Sequence, residues 1–247
     1  MSFKNYDCKG IHYASGRPEY PEKMYKFLEK ELGIKNKCLV DMGAGTGIFS
    51  KKLLENNNYV YLVEPNIEML YLARKGLSSF KKKTLYNCCA ENTPILSNSI
   101  DAVISAQSYH WFDNKKIKLE FQRILKNDGL VIIVWNELDY NDIISKEYKK
   151  LLEKYSDYNS DLDDIQLYRR QIELDFNKKV NSSVFDNYQC LNQKAFIDRI
   201  LSSSFSPNKE QSQFTLFIED AKKLFSNYSR QEEITMFLKT HLLYFTI

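Results

Sequence analysis

Cysteine is scarce in this chain and follows no metal or disulfide pattern. The five cysteines are Cys8, Cys38, Cys88, Cys89 and Cys190. They form no Cys-x-x-Cys pair and have no histidine at metal-ligand spacing. An odd number with two adjacent members fits reduced thiols better than a disulfide framework. Because residues 1–10 are polar and charged, we also expect no secretory signal. The sequence therefore predicts a cytoplasmic protein with no metal site.

Long apolar runs and a strong charge of one sign are lacking as well. No apolar stretch approaches the roughly 18 residues that span a membrane, so no membrane association is expected. The net charge is only +3. The 35 basic residues include 7 arginines, whereas nucleic-acid binders usually cluster arginines on one basic face. We expect a small-molecule substrate, no nucleic acid, and a monomer or homodimer.

Glycine is also rare, yet three of the 8 glycines stand in one short motif. They alternate as Gly43, Gly45 and Gly47, directly after an apolar run that contains Asp41. A second apolar run, Tyr59–Val63, ends in Glu64. Glycines let a loop turn tightly and present bare backbone N–H groups to a ligand. An acid that closes the next strand can accept the hydroxyls of a ribose. The pattern predicts a nucleoside-cofactor site on the first βαβ unit of an α/β sheet.

Two familiar nucleotide motifs are not matched by this loop. The dinucleotide fingerprint places a third glycine at the sixth position, where Ile48 stands. The phosphate loop ends in Gly-Lys-Ser/Thr, which is absent. Acid-x-Gly-x-Gly-x-Gly at the end of the first strand instead resembles the class I S-adenosylmethionine-dependent methyltransferases, whose ligand has a nucleoside but no pyrophosphate.

Further blocks extend the resemblance over residues 12–136. They resemble a bacterial methyltransferase branch related to trans-aconitate methyltransferases. The blocks are residues 13–21 (Tyr…Arg-Pro-x-Tyr-Pro), 63–66, 90–94 (Ala-Glu-x-x-Pro), 99–103, 107–112 and 123–129.

The resemblance implies an α/β, Rossmann-like class I methyltransferase fold with a seven-stranded, mostly parallel sheet and a helical insertion or cap in the C-terminal half. Apolar strands alternating with amphipathic helices support a parallel sheet covered on both faces. We expect one domain over residues 1–247: a cofactor-binding core over 1–136, a helical insertion or cap over 137–182, and C-terminal strands and helices over 183–247. The β-rich residues 234–247 are expected to form a late antiparallel strand.

S-adenosylmethionine is the cofactor that the resemblance implies. Asp41 is expected near its methionine amino group, and Glu64 at its ribose. Cys89 stands where many relatives have an acid, so backbone groups of residues 89–91 would recognise the adenine. The expected cofactor-binding set is Tyr13, Arg17, Asp41, Gly43, Ala44, Gly45, Gly47, Glu64, Pro65, Asn66, Met69, Cys89, Ala90, Glu91 and Gln107.

The acceptor is expected to meet Tyr20, Tyr109, His110 and Trp111. His110 is the candidate catalytic residue, either as a proton acceptor or as a residue that only packs the loop. A base is needed only if the acceptor holds a proton at neutral pH. No Asn/Asp-Pro-Pro-Tyr or Pro-Cys motif is present, which together with the modest net charge favours a small-molecule acceptor. The resemblance implies a carboxylate as that acceptor, and a hydroxyl stays open. A nicotinamide-dependent reductase and a non-catalytic cofactor-binding regulator stay open as alternatives.

Overall fold

The computed structural model describes residues 17–156, 165–203 and 205–247, whose helices and strands alternate as predicted. The first half comprises α1 (Glu22–Lys30), β1 (Cys38–Met42), α2 (Ile48–Glu55), β2 (Tyr59–Val63), α3 (Ile67–Gly76), β3 (Lys83–Tyr86), β4 (Ile100–Ala106), a 3₁₀ turn (Tyr109–Trp111) and α4 (Asn114–Ile124). The second half comprises β5 (Leu125–Leu138), α5 (Ile143–Tyr155), α6 (Ile165–Phe176), β6 (Asn181–Asn192), α7 (Gln193–Leu201), α8 (Phe214–Tyr228) and β7 (Glu233–Thr246). Tyr13, the acid-rich residues 157–164 and Ser204 lie outside the described residues.

The strands form one seven-stranded sheet in the order β3-β2-β1-β4-β5-β7-β6. The pairs β3–β2, β2–β1, β1–β4 and β4–β5 are parallel. Hydrogen bonds from the Ile247 N–H to the Gly129 carbonyl and from the Asp139 N–H to the Phe237 carbonyl pair β7 with β5 in opposite directions. The predicted seven-stranded, mostly parallel sheet with a late antiparallel strand is therefore confirmed.

The chain divides into two compact units. The core unit comprises Tyr20–Asn136, Ile165–Phe185 and Thr240–Ile247, and the described residues of the helical unit are 17–19, 137–156, 186–203 and 205–239. Within the expected 137–182 insertion, α5 lies in the helical unit and α6 in the core unit.

Both faces of the sheet are buried in the core unit. Along β5, Val131 and Ile133 join one apolar cluster, while Ile132 and Val134 join the other. Helices α4 and α6 complete the first cluster, and α1, α2 and α3 complete the second. Because β5 is buried on both faces, its residues 130–134 form one continuous apolar run.

In the helical unit, one buried cluster joins α5, α7 and α8. Tyr148 of α5, Phe196 of α7 and Phe217 of α8 are its largest fully buried side chains. Over the described part of the chain, no helix combines the length and apolarity needed to cross a membrane.

Candidate functional site

The glycine loop connects β1 to α2 through left-handed backbone. Gly43, Gly45 and Gly47 have φ angles of 72°, 55° and 80°, which suit glycine and strain other residues. The N–H groups of Gly43 and Ala44 both donate to the Val63 carbonyl, at 2.8 and 3.0 Å. The loop is thereby fixed to the end of β2 while turning sharply into α2.

Glycine is also favoured at position 43 because Ser108 packs closely against it. A Cβ at Gly43 would lie 2.5 Å from the Ser108 Cβ and 2.9 Å from its Oγ. The Ser108 hydroxyl donates to the Met42 carbonyl and lies 2.7 Å from the Ser105 hydroxyl. The loop after β4 therefore packs directly on the glycine loop, and both lie at the carboxyl edge of the sheet.

Asp41 is a buried carboxyl beneath this loop. Its side chain is 1% exposed, and its Oδ2 accepts a hydrogen bond from the Ser50 hydroxyl at 2.6 Å. Its Oδ1 is buried without a hydrogen-bond partner among the described residues. Burial raises the pKa of Asp41 to about 7, and the nearby Glu64 adds to the rise. An open, buried acceptor of this kind suits a cationic donor.

Glu64 is held in place by backbone N–H groups. Its Oε2 accepts from the Gly45 N–H and its Oε1 from the Asn66 N–H, each at 2.9 Å. The Asn87 amide donates to the Glu64 carbonyl at 3.0 Å. Burial raises the pKa of Glu64, while the two N–H bonds oppose the rise. Each carboxylate oxygen has a further lone pair, so an oriented Glu64 can still accept ribose hydroxyls.

The residues after Glu64 begin α3. The Asn66 side chain caps the helix by accepting from the Glu68 and Met69 N–H groups at 2.9 and 3.0 Å. The Pro65 carbonyl accepts from the Asn87 amide at 2.8 Å, and Met69 is buried. This cap explains why Asn66 follows the acid.

The expected adenine loop is tied to α4 at two places. Cys89 is exposed and Ala90 is buried, while the Glu91 Oε1 accepts from the Asp113 N–H at 2.9 Å. Further along, the Thr93 N–H and hydroxyl both donate to the buried Glu120 carboxylate, at 2.9 and 2.6 Å.

Arg123 completes the attachment of this loop. Its guanidinium donates to Glu120 at 2.7 and 2.8 Å, to the Ile95 carbonyl at 2.7 Å and to the Thr93 carbonyl at 3.1 Å. Hydrogen bonds to the Arg123 guanidinium lower the pKa of Glu120, although burial opposes them. The sequence placed Arg123 in a motif without a role, and the structure shows that it secures residues 93–95.

Gln107 stands at the end of β4 with a positive φ of 59°, which is uncommon for a residue other than glycine. Its amide donates to the Asn136 carbonyl at 3.0 Å, and the Asn136 side chain accepts from the Thr240 hydroxyl. The ends of β4 and β5 are thereby joined to β7. This strained backbone turns the chain away from the sheet, directly before Tyr109, His110 and Trp111.

Of these three aromatic residues, Tyr109 is buried, whereas His110 is exposed and Trp111 is half-buried. His110 is exposed, with its ring centroid 4.8 Å from that of Trp111 and 5.0 Å from that of Trp135. Tyr109 is 3% exposed and packs in the core, where burial and Asp175 raise the pKa of its phenol. The expected role of Tyr109 at the acceptor therefore stays a prediction.

The predicted N-terminal residues have separate surroundings. In the helical unit, the Arg17 guanidinium donates to the Ser202 carbonyl at 2.9 Å. In the core unit, the Tyr20 ring packs edge-on against Phe49, with centroids 4.9 Å apart. Tyr13 lies outside the described residues. Their expected roles at the cofactor and the acceptor therefore stay predictions.

The core-unit residues fit S-adenosylmethionine. The open Asp41 oxygen suits its ammonium group, the fixed Glu64 carboxylate suits its ribose, and the glycine turn leaves backbone free of side chains. Within the three described segments, no group of three or more His, Cys, Asp and Glu side chains is arranged to hold a metal ion.

Comparison with known proteins points to the same class. Residues 40–133 match the family model of a methyltransferase domain. An uncharacterised methyltransferase of Mycobacterium tuberculosis is 35% identical over 127 residues, which cover 51% of this chain and 50% of the relative. The chain thus spans about half the length of the mycobacterial relatives that it matches.

Solved structures share the fold at low identity. A protein of Anaeromyxobacter dehalogenans, provisionally described as a type II methyltransferase, has a TM-score of 0.64 at 16% identity, covering 92% of this chain and 96% of that chain. An N-methyltransferase of Haemonchus contortus, solved with S-adenosylhomocysteine, has a TM-score of 0.54 at 15% identity, covering 99% of this chain and 58% of that chain.

The fold is that of the class I S-adenosylmethionine-dependent methyltransferases. The segment that matches the model of a methyltransferase domain, residues 40–133, contains the glycine loop, Asp41, Glu64 and the turn that carries His110.

Proposed function

We propose that this protein binds S-adenosylmethionine and transfers its methyl group to a small-molecule acceptor that bears a carboxylate or hydroxyl. The observation that carries the proposal is the pair of buried acids around the glycine loop. Glu64 is oriented by the Gly45 and Asn66 N–H groups, and Asp41 keeps one buried oxygen open. A ribose beside a cationic amino group supplies the matching partners for both acids.

When bound, the cofactor supplies an electrophilic methyl group on a positively charged sulfur. The protein's main task is then to hold the acceptor in line with that methyl, since alignment contributes roughly 7–11 kcal/mol. Hydrogen bonds from Gln107 to the Asn136 carbonyl and from Ser108 to the Met42 carbonyl fix the end of β4. His110 and Trp111 follow directly after these two residues. Aromatic faces near a cationic methyl group add on the order of 1 kcal/mol.

The acceptor class rests on resemblance and on charge requirements. The six blocks over residues 12–136 resemble the branch related to trans-aconitate methyltransferases, which favours a carboxylate. A carboxylate is already ionised at neutral pH and needs no base. His110, exposed and in contact with two indole rings, then positions the acceptor instead of removing a proton.

Titration calorimetry with S-adenosylhomocysteine tests the binding half of the proposal. Wild-type protein should bind, and Glu64→Ala should bind more weakly by about 1.5–3 kcal/mol, the contribution of a charged hydrogen bond. Glu68→Ala is the matched control, because Glu68 is an exposed acid on α3. Equal affinity of Glu64→Ala and wild type, with the fold intact, would remove Glu64 from the site.

Release of S-adenosylhomocysteine from S-adenosylmethionine tests the reaction. A panel of small carboxylic acids and a panel of alcohols should be assayed in parallel, and turnover with either supports an enzyme. Tight binding without turnover on any panel would favour the non-catalytic regulator. Binding of NADH in place of S-adenosylhomocysteine would favour the reductase.

A further inference from the structure

The two edge strands of the sheet differ in how well they are protected against pairing with another chain. In the strand order, β3 and β6 each have a neighbouring strand on one side only. β3 has four residues, begins with Lys83 and follows Lys81 and Lys82. Short length and lysines are common protections of a sheet edge. β6 has 12 residues without lysine, arginine, proline or glycine, and it is therefore the unprotected edge.

Tyr188 of β6 and Phe237 of β7 form an exposed aromatic pair in the helical unit. The register of the two strands follows from two side-chain contacts, Cys190 with Thr235 at 3.6 Å and Asp186 with Lys239 at 2.6 Å. These contacts make the strands antiparallel and place Tyr188 opposite Phe237, midway between the two pairs. Tyr188 is 65% exposed and Phe237 is 47% exposed. An apolar surface therefore lies beside the open edge.

The polar backbone groups of Tyr188 face away from β7. The Phe237 carbonyl accepts from the Asp139 N–H, directly after β5, so the backbone groups of Phe237 face β5. In an antiparallel pair, the residue opposite then directs its own backbone groups to the far side. The Tyr188 N–H accordingly donates to the side chain of its neighbour Asn187, at 2.9 Å. Because this direction alternates along a strand, the backbone groups of residues 186, 188 and 190 all face the open edge.

A second copy of the chain fits this edge. When a strand pairs antiparallel with its own copy around a two-fold axis, the same surface meets itself and each row of N–H and C=O groups finds an identical row. With the axis at Tyr188, the exposed tyrosine and Phe237 of both copies come together, and aromatic pairs across strands are favourable.

Charge does not oppose this pairing. Asp186 is the only charged residue of β6, and it is paired with Lys239. With the axis at Tyr188, each Asp186 lies opposite Cys190 of the other copy, so the two acids are four residues apart, or about 13 Å along the strands. That separation exceeds the Debye length of about 8 Å at physiological salt.

We infer that β6 is the interface of a homodimer, in which two copies pair their β6 strands antiparallel around Tyr188. The two seven-stranded sheets then continue into one another across the axis. The composition alone left a monomer and a homodimer open, and the unprotected edge selects the homodimer. The interface does not depend on the proposed methyl transfer, so either can be refuted alone.

Sedimentation velocity from low to high micromolar protein concentration tests the interface. Wild type should sediment as a dimer at the high end. Tyr188→Lys removes both rings and places like charges at the axis, and it should raise the dissociation constant about tenfold or more. Tyr71→Lys is the matched control, because Tyr71 on α3 is 63% exposed and far from both edge-strand residues in sequence. Its dissociation constant should equal that of wild type.

Cys190→Pro tests the backbone part of the interface. It removes an N–H that faces the open edge, where proline is tolerated, so the pairing of β6 with β7 should persist. The variant should be a monomer with the far-UV circular dichroism of wild type, whereas Tyr188→Phe, which keeps the ring, should stay a dimer. A wild type that is monomeric at every concentration would overturn the inference and leave the edge to a strand of a different protein. A dimer that survives both Tyr188→Lys and Cys190→Pro would also overturn it.

Discussion

Replacing Gly43 by alanine should destabilise the protein through two separate physical effects. The first is backbone strain, because Gly43 has a φ of 72° and a left-handed L-residue costs about 1–2 kcal/mol. The second is steric, because the new Cβ would lie 2.5 Å from the Ser108 Cβ. Forcing extra atoms into packed structure costs about 1–3 kcal/mol. The two effects together predict a loss of about 2–5 kcal/mol in the free energy of unfolding.

Gly33→Ala is the matched control for this change. Gly33 has a similar φ of 65°, but a Cβ there meets no atom within 4 Å, so only the strain of about 1–2 kcal/mol applies. Urea unfolding followed by circular dichroism measures both variants, and Gly43→Ala should have the lower midpoint. In the double variant Gly43→Ala/Ser108→Gly the loss should be smaller than the sum of the single losses, because the clash is gone. Equal losses in Gly43→Ala and Gly33→Ala would refute the packing argument.

Three further changes test the site. Asp41→Asn should bind S-adenosylmethionine weakly and at all pH values alike, whereas wild-type affinity should fall as the pH drops below about 7, where Asp41 becomes protonated. The pKa of Asp41 in the folded protein lies above the unfolded value of about 3.9, so the unfolding free energy of the ligand-free wild type should fall as the pH rises from about 4 to 7. The unfolding free energy of Asp41→Asn should lack this contribution to its pH dependence. Glu120→Gln should lower the unfolding free energy by about 1.5–3 kcal/mol, because it weakens the charged hydrogen bonds to Thr93 and Arg123. Since these bonds hold the expected adenine loop, the variant should also raise the Kd of the cofactor more than it lowers turnover at saturation. His110→Ala should keep turnover within a few-fold of wild type if the acceptor is a carboxylate, and a loss of about 10²-fold at unchanged cofactor affinity would show that His110 is a base.

The sequence predicted most of the core unit because its signals are local. The apolar run that ends at Met42, the glycines after it and the amphipathic residues 48–55 are adjacent in the chain, and they form β1, the glycine loop and α2. The terminal strand was predicted from its β-rich composition and the resemblance. The strand Asn181–Asn192 was not located individually. It is an edge strand of the sheet in which polar and apolar side chains are mixed and only Leu191 is buried, so it lacks the apolar run of the buried strands.

The contacts that complete the site could not be predicted in the same way. The position of Asp41 followed from the strand, but its bond to Ser50 depends on how α2 turns after Gly47. Tyr109 and His110 are adjacent in one aromatic motif, and only the 3₁₀ turn decides that the first is buried and the second exposed. Trp135 and Tyr168 lie in different elements with α5 between them in the chain, so their contact depends on the tertiary fold.

The charge pattern of the site also explains which nucleoside ligand it favours. Asp41 and Glu64 are both buried, and burial raises the pKa of each in the ligand-free protein. A ligand that brings positive charge favours the ionised carboxylates and is itself stabilised by them. A pyrophosphate would add negative charge to the same buried region and would be repelled. S-adenosylmethionine carries an ammonium and a sulfonium, whereas a nicotinamide dinucleotide carries two phosphates. The buried Asp41 beneath the loop thus disfavours the reductase independently of Ile48, which occupies the position of the missing glycine. Glu64 does not discriminate, because dinucleotide sites also bind the ribose with an acid at this position.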